Sequence, residues 1–201
     1  ICSEKRLNNI QFCMEDCLAK NVPGDFIECG AWRGGAAILM RGILAAHGVT
    51  DRIVWVADSF QGLPTPPIGS VDEQMYNFEA VLEIDRFAVT LEEVKSNFLR
   101  YGLLDHQVQF LPGWFNETLP SAPIDKLAVL RLDGDYYEST MDTLVSLYPK
   151  LSVGGYVIID DWGLDRMCGE KQAVLEYRQE HQITDDIRAI DYHSAYWQKG
   201  G

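Results

Sequence analysis

A chain of 201 residues, 47% hydrophobic and 23% charged, has an ordinary globular composition and is long enough to bury one full central sheet as a single domain, 1–201. Its net charge of −13 excludes a nucleic-acid partner, because phosphates would be repelled rather than neutralised. Every apolar run falls short of the roughly 20 residues that cross a bilayer, so no membrane partner is expected.

The opening residues, Ile1-Cys2-Ser3-Glu4-Lys5-Arg6, carry neither an initiator Met nor a basic and then apolar leader, and a missing N-terminal extension is expected. From Glu4 to Lys20, Leu7, Ile10, Met14 and Leu18 recur close to helical spacing, and Asn21-Val22-Pro23-Gly24 breaks the helix. Cys13 and Cys17 share a face of it. With Cys2, Cys29 and Cys168 they form no C-x-x-C pair and no Cys/His zinc spacing, so they read as reduced packing residues of a cytoplasmic protein.

Asp25-Phe26-Ile27-Glu28-Cys29 is a short strand that runs into Gly30-Ala31-Trp32-Arg33-Gly34-Gly35. Ala36 to His47 reads as a helix stopped by Gly48, and Arg52 to Ala57 as a second buried strand ending at Asp58. Residues 61–88 interrupt the pattern. Pro64, Pro66, Pro67 and Gly69 precede a polar stretch with no firm period, and a long irregular insert at a strand end is expected to be a lid or acceptor loop. A helix from Thr90 to Tyr101 is capped by Thr90 with Glu93 three residues on. Strands near Val108–Leu111 and Lys126–Leu132 follow, then a helix from Ser139 to Leu151 and a strand from Gly155 to Ile159. A helix from Glu170 to Glu180 and short strands near Ile187–Ile190 and Ala195–Trp197 complete the chain. The alternation predicts an α/β, Rossmann-like fold: a mostly parallel seven-stranded sheet with helices on both faces.

Ligands of such sheets sit outside the carboxyl ends of the strands. Gly30, Gly34 and Gly35 lie where the backbone turns sharply and approaches a ligand. The G-x-x-x-G-G spacing is not the dinucleotide fingerprint, and the P-loop lysine is missing, which disfavours an NAD-dependent oxidoreductase and triphosphate chemistry. Glu28 ends the first strand, where a carboxylate can hold an ammonium. Asp58 ends the second, where a carboxylate can accept both hydroxyls of a ribose. An amino acid joined to a nucleoside describes S-adenosylmethionine. Asp133, Asp160 and Asp161 end two further strands. If those strands are neighbours, three carboxylates converge and repel unless a cation sits among them, and oxygen ligands alone favour Mg2+.

Long stretches of the chain resemble the macrocin O-methyltransferase family, which includes the sugar methyltransferases of mycinamicin and novobiocin biosynthesis. The resemblance is carried by Glu28 to Gly35, by Asp58-Ser59-Phe60-Gln61-Gly62-Leu63-Pro64, by Val94-Lys95-Ser96-Asn97-Phe98 and by Tyr101-Gly102-Leu103-Leu104-Asp105. It continues through Gly113-Trp114-Phe115, Thr118-Leu119-Pro120, Leu130 to Thr140, Gly154-Gly155-Tyr156, Asp160-Asp161, Ile190-Asp191 and Tyr196-Trp197. It implies S-adenosylmethionine, Mg2+ on Asp133, Asp160 and Asp161, and methylation of a hydroxyl on a small molecule, in the best-known members a deoxysugar on a natural product. Relatives usually carry an N-terminal extension that helps close the site or pair subunits, so a homodimer is an open expectation.

The expected cofactor-binding set is Glu28, Gly30, Ala31, Trp32, Arg33, Gly34, Gly35, Asp58, Ser59, Trp114 and Asp133, with Trp114 placed to pack on adenine. Three groups are candidates for the base that accepts the hydroxyl proton: Asp133, Asp135 two residues on, and His193. Arg33 and Arg131 could steady carboxylates of cofactor or protein, whereas His47, His106 and His181 read as structural. A catechol-type phenolic O-methyltransferase shares every feature but the acceptor, and a cofactor-binding domain without catalysis would have no reason to keep three clashing carboxylates.

Overall fold

The strands are β1 (Asp25–Cys29), β2 (Val54–Asp58), β3 (Val108–Pro112), β4 (Leu127–Leu132), β5 (Leu151–Ile159), β6 (Arg188–Ala189) and β7 (Ala195–Gln198). In the computed structural model, which describes residues 2–75, 87–163 and 169–201, they form one sheet in the order β3-β2-β1-β4-β5-β7-β6. β1 to β5 pair in parallel, β7 pairs antiparallel with β5, and β6 antiparallel with β7. The chain leaves β1 toward β2 and β3 on one side and returns to β4 and β5 on the other. The direction therefore reverses between β1 and β4, and their carboxyl ends open a crevice there.

The central strands are apolar almost throughout because both faces are covered. Phe26, Val54 and Val56 point to one face and pack with Ile10, Met14 and Cys17 of α1 (Glu4–Ala19) and Ala37 and Leu44 of α2 (Gly35–Ala46). The alternate positions Ile27, Trp55 and Leu130 point to the other. There they meet Leu144 and Leu147 of α6 (Tyr137–Leu147) and Val174 and Tyr177 of α7 (Gly169–Glu180). Each fully buried Leu or Ile contributes about 1.5–3 kcal/mol. Cys13 and Cys17 are free, fully buried packing residues; Cys168 lies outside the described residues.

α4 (Leu91–Arg100) begins as expected, with the Thr90 hydroxyl accepting from the Glu93 amide at 3.2 Å. β5 starts at Leu151, where a helix was expected to end, because α6 stops at Leu147 and a 3-10 turn over 148–150 that includes Pro149 leads straight into the strand. Two short helices, α3 (Val71–Met75) and α5 (Phe115–Thr118), were not expected. α3 lies within the insert 61–88 and fastens it: the buried Asp72 carboxylate accepts from the amides of Tyr137 (2.7 Å) and Glu138 (3.4 Å), the first residues of α6. Residues 76–86 of the expected lid lie outside the described residues. Among the described residues no helix is long and apolar enough to cross a membrane.

Candidate active site

The loops leaving the carboxyl ends of β1, β2, β3, β4 and β5 enclose a cavity of about 750 Å3, the size of a small-molecule site. The cavity begins at the glycine turn. Gly30 has φ +93°, and a Cβ on it would stand 1.8 Å from the Asp133 carbonyl oxygen, so only glycine lets the end of β1 pass the end of β4. The Asp133 amide closes the same contact by donating to the Cys29 carbonyl at 2.9 Å. Asp58 then fixes the turn. Its Oδ2 accepts from the amides of Ala31 (2.7 Å) and Trp32 (3.0 Å), and its Oδ1 from Phe60 (2.7 Å). These charge-assisted bonds hold Trp32 and Phe60 in left-handed backbone conformations, φ +45° and +56°, that a free chain would avoid. Ser59 shapes the next turn, its hydroxyl donating to the Gly62 carbonyl at 2.8 Å.

The opposite wall is acidic. Glu28 and Arg131 are register partners on β1 and β4, on the face covered by α1 and α2. Both are 2% exposed. Arg131 Nη1 donates to Glu28 Oε1 and to Asp133 Oδ2, each at 2.7 Å, and Nη2 donates to Asp160 Oδ1 at 2.6 Å. Glu28 Oε2 accepts the Ala37 amide of α2 at 2.8 Å. A second guanidinium arrives from α1: Arg6 donates to Asp160 Oδ2 at 2.7 Å and to Asp191 Oδ2 at 3.0 Å. Burial pushes the Glu28 carboxyl up to about 8 and Asp133 up to about 7 although Arg131 pulls both down. Burial and then the neighbouring Asp161 hold Asp135 well above the usual carboxylate range, and the two carboxyls share a hydrogen bond. Glu170, fully buried at the start of α7, is raised in the same way by burial and Asp161.

Most of the expected site residues come together. Every expected cofactor residue except Gly34 lines the cavity, as do Asp133, Asp135, Asp160 and Asp161. Gly34 instead lets α2 begin against α4, where a Cβ would meet Val94 at 2.9 Å. Asp135 lies beyond the strand: β4 ends at Leu132 and Asp135 has φ +60°. His193 is not brought in. Its side chain is exposed, its ring stands edge-on to Tyr192 at 5.0 Å, and it lies outside the cavity lining. Trp114 lines the cavity as the residue before α5. Trp32 also faces it, with the Arg33 guanidinium 4.7 Å over its ring and Phe87 beside it.

Sequence reasoning missed Arg6, Cys2 and Glu170. Arg6 and Cys2 line the cavity, and Arg6 reaches it from 154 residues before Asp160, with no local signal to mark it.

Among the described residues, no three acidic, His or Cys side chains stand close enough to enclose an ion, since the guanidiniums draw Asp133 and Asp160 toward themselves. In donor chemistry and in charge the residues nonetheless fit a hard cation. The donors are oxygen only. The carboxylates of Glu28, Asp133, Asp135, Asp160, Asp161 and Glu170 outnumber Arg6 and Arg131, and both Glu170 oxygens are buried without a hydrogen-bond partner among the described residues.

The family model for macrocin O-methyltransferase (TylF) matches residues 1–199. The chain is 57% identical over 199 residues to demethyldecarbamoylnovobiocin O-methyltransferase of Streptomyces niveus, covering 97% of this chain and 73% of that enzyme. It is 52% identical over 197 residues to mycinamicin III 3''-O-methyltransferase of Micromonospora griseorubida, covering 97% of this chain and 76% of that enzyme. The solved structure of the O-methyltransferase NovP superposes with a TM-score of 0.92 at 56% identity over 98% of this chain and 80% of that one. Calicheamicin methyltransferase CalS11, at 18% identity and a TM-score of 0.67 over 99% of this chain and 81% of its own, shares the fold.

Proposed function

The chain belongs to the macrocin O-methyltransferase family and is an O-methyltransferase, and from this we propose that it moves a methyl group from S-adenosylmethionine to a sugar hydroxyl of a glycosylated natural product, with Mg2+ at the acidic edge of the sheet. One observation carries the reading: a single cavity joins the Asp58-braced glycine turn to the Asp133, Asp135, Asp160 and Asp161 wall, so a nucleoside ligand and a cation fit side by side. The sugar follows from the relatives, whose names describe methylation within novobiocin, tetracenomycin and mycinamicin compounds.

The cofactor's methionyl end is assigned to Gly30 and Gly35. A Cβ at Gly35 would meet nothing within 4 Å, which leaves the start of α2 open to a ligand carboxylate. Asp58 already uses three of its roughly four acceptor directions on backbone amides, so it has room for one ribose hydroxyl rather than two. Trp114 and Leu63 line the same cavity and are assigned to the adenine, and Glu28 presents its carboxyl to the ammonium while staying anchored to Arg131 and α2.

Asp133, Asp160 and Asp161 would hold the cation, which supplies a positive field that lowers a neighbouring hydroxyl's pKa by several units. Methyl transfer from a sulfonium is an in-line displacement, so the walls must align donor and acceptor. Asp133 is the proposed base. Arg131 fixes its Oδ2 in place, and its carboxyl lines the cavity beside the proposed acceptor position. Asp135 is engaged with Asp161, and His193 lies outside the cavity. The test is methyl transfer from labelled S-adenosylmethionine to a panel of glycosides and free phenols, read by mass. Methylated glycosides are expected, and turnover of phenols alone would overturn the sugar assignment.

A further inference from the structure

We propose that Glu170 is a further carboxylate of the cation site, supplying an oxygen from the first turn of α7; this rests on the cation reading given above. α7 is fixed against the acidic loop from two sides. The Glu170 amide donates to the Asp135 carbonyl at 3.3 Å, and Gly169 is wedged so tightly that a Cβ would stand 2.2 Å from Asp72 Oδ1 and 2.4 Å from the Tyr137 nitrogen. The start of the helix is therefore held close to the acidic loop, and the Glu170 side chain is buried there, behind the cavity lining.

A glutamate in the first turn of a helix ordinarily faces water, where it complements the helix dipole. Glu170 is 0% exposed instead, and neither of its oxygens has a hydrogen-bond partner among the described residues. A buried carboxylate without a donor is among the costliest groups a fold can contain. Its charged neighbours make it worse, because they are Asp161, Asp133, Asp160 and Asp135. The guanidiniums nearby are committed elsewhere: Arg131 to Glu28, Asp133 and Asp160, and Arg6 to Asp160 and Asp191. A packing role would be met more cheaply by Gln or Leu. A buried carboxyl set among other carboxylates is relieved by a hard cation, which displaces its proton and takes oxygen ligands of this kind.

Mn2+ binding to the full chain, followed by electron paramagnetic resonance and calorimetry without cofactor or acceptor, tests this apart from catalysis. The proteins compared are wild type, Asp160→Asn, Glu170→Gln and Glu170→Asp. Glu170→Gln keeps the shape and should weaken Mn2+ by about 10–100-fold, with Glu170→Asp in between. In chelator, Glu170→Gln should melt no lower than wild type, since it replaces a carboxyl whose oxygens make no hydrogen bond among the described residues. Mn2+ affinity within about twofold of wild type in Glu170→Gln, while Asp160→Asn loses it, overturns the inference and leaves the cation reading standing. Failure of the wild type to bind Mn2+ refutes the cation reading itself and Glu170's part with it. Should Glu170→Gln not fold, undiminished Mn2+ binding by Glu170→Asp is the overturning result.

Discussion

Replacing Arg131 with Met keeps a long, flexible side chain in its slot and removes the guanidinium that Glu28, Asp133 and Asp160 share at 2.7, 2.7 and 2.6 Å. Removing one partner of a buried ion pair costs about 3–5 kcal/mol. Three carboxylates lose a donor here, but Asp160 keeps Arg6 and Glu28 keeps the Ala37 amide, so the expected cost is the upper part of that range and not a multiple of it. Against a total stability of about 5–15 kcal/mol, the variant should fold with little margin. The loss has a definite pH dependence. Glu28 and Asp133 sit at about 8 and about 7 in the folded protein, above their values in an unfolded chain, so the native state keeps protons that the unfolded state has released. Stability from such groups is complete below the unfolded pKa and is lost as pH rises through the folded value. Metal-free wild type should therefore weaken between about pH 4.5 and 8, and the variant more steeply, by about 1.4 kcal/mol per pH unit for each further proton retained. Urea denaturation in chelator across that window is the assay. Equal midpoints for variant and wild type at the alkaline end, or a variant that gains stability as pH rises, would refute the account of Arg131 as the shared counter-ion.

Chelation should abolish methyl transfer and Mg2+ restore it, while the protein stays folded with a melting temperature lowered only by the lost Mg2+ binding, because the apolar core lies behind the acidic edge; full turnover in chelator would remove the metal from the mechanism. Asp161→Asn should weaken Mg2+ in calorimetry with little change in melting. Asp58→Ala should weaken S-adenosylmethionine by about 1.5–3 kcal/mol, by losing a ribose contact and by releasing the Ala31 and Trp32 amides. Unchanged affinity would sink that assignment. Gly30→Ala should destabilise by more than about 4 kcal/mol, since the new Cβ meets the Asp133 backbone; a wild-type denaturation midpoint would contradict the geometry.

What the sequence revealed was what local pattern controls. Thr90 with Glu93 announces the start of α4, and the glycine turn followed by Asp58 announces a ligand edge, because each depends on residues a few places apart or on a sheet order that β-α-β alternation dictates. α3 and α5 escaped notice because five and four residues are too few to show a helical period. Asp58 lines the cavity, but its spacing could not show that three backbone amides already occupy its oxygens. His193 looked attractive for its ring alone, and only the β6–β7 connection shows that the ring faces outward. Glu170 entered the sequence analysis only as the start of a helix, and its burial accompanies the packing of Gly169 against Asp72 and Tyr137, contacts made across the fold.

The reach of α1 also sets a schedule for assembly. Arg6 pairs with Asp160 and Asp191, and Ser3 with Asp191, across separations of 154, 185 and 188 residues. At ribosomal speeds of about 5–20 residues per second, Arg6 emerges roughly 10–40 s before Asp191 exists to receive it. β1, β2 and β3, with the glycine turn and Asp58, are complete by Pro112, whereas the acidic wall waits for β5 and the Asp191 turn. The glycine-turn side of the cavity is thus an early product of synthesis and the acidic side a late one. The slow, long-range closure of α1 onto Asp160 is the step at which the two halves become one pocket.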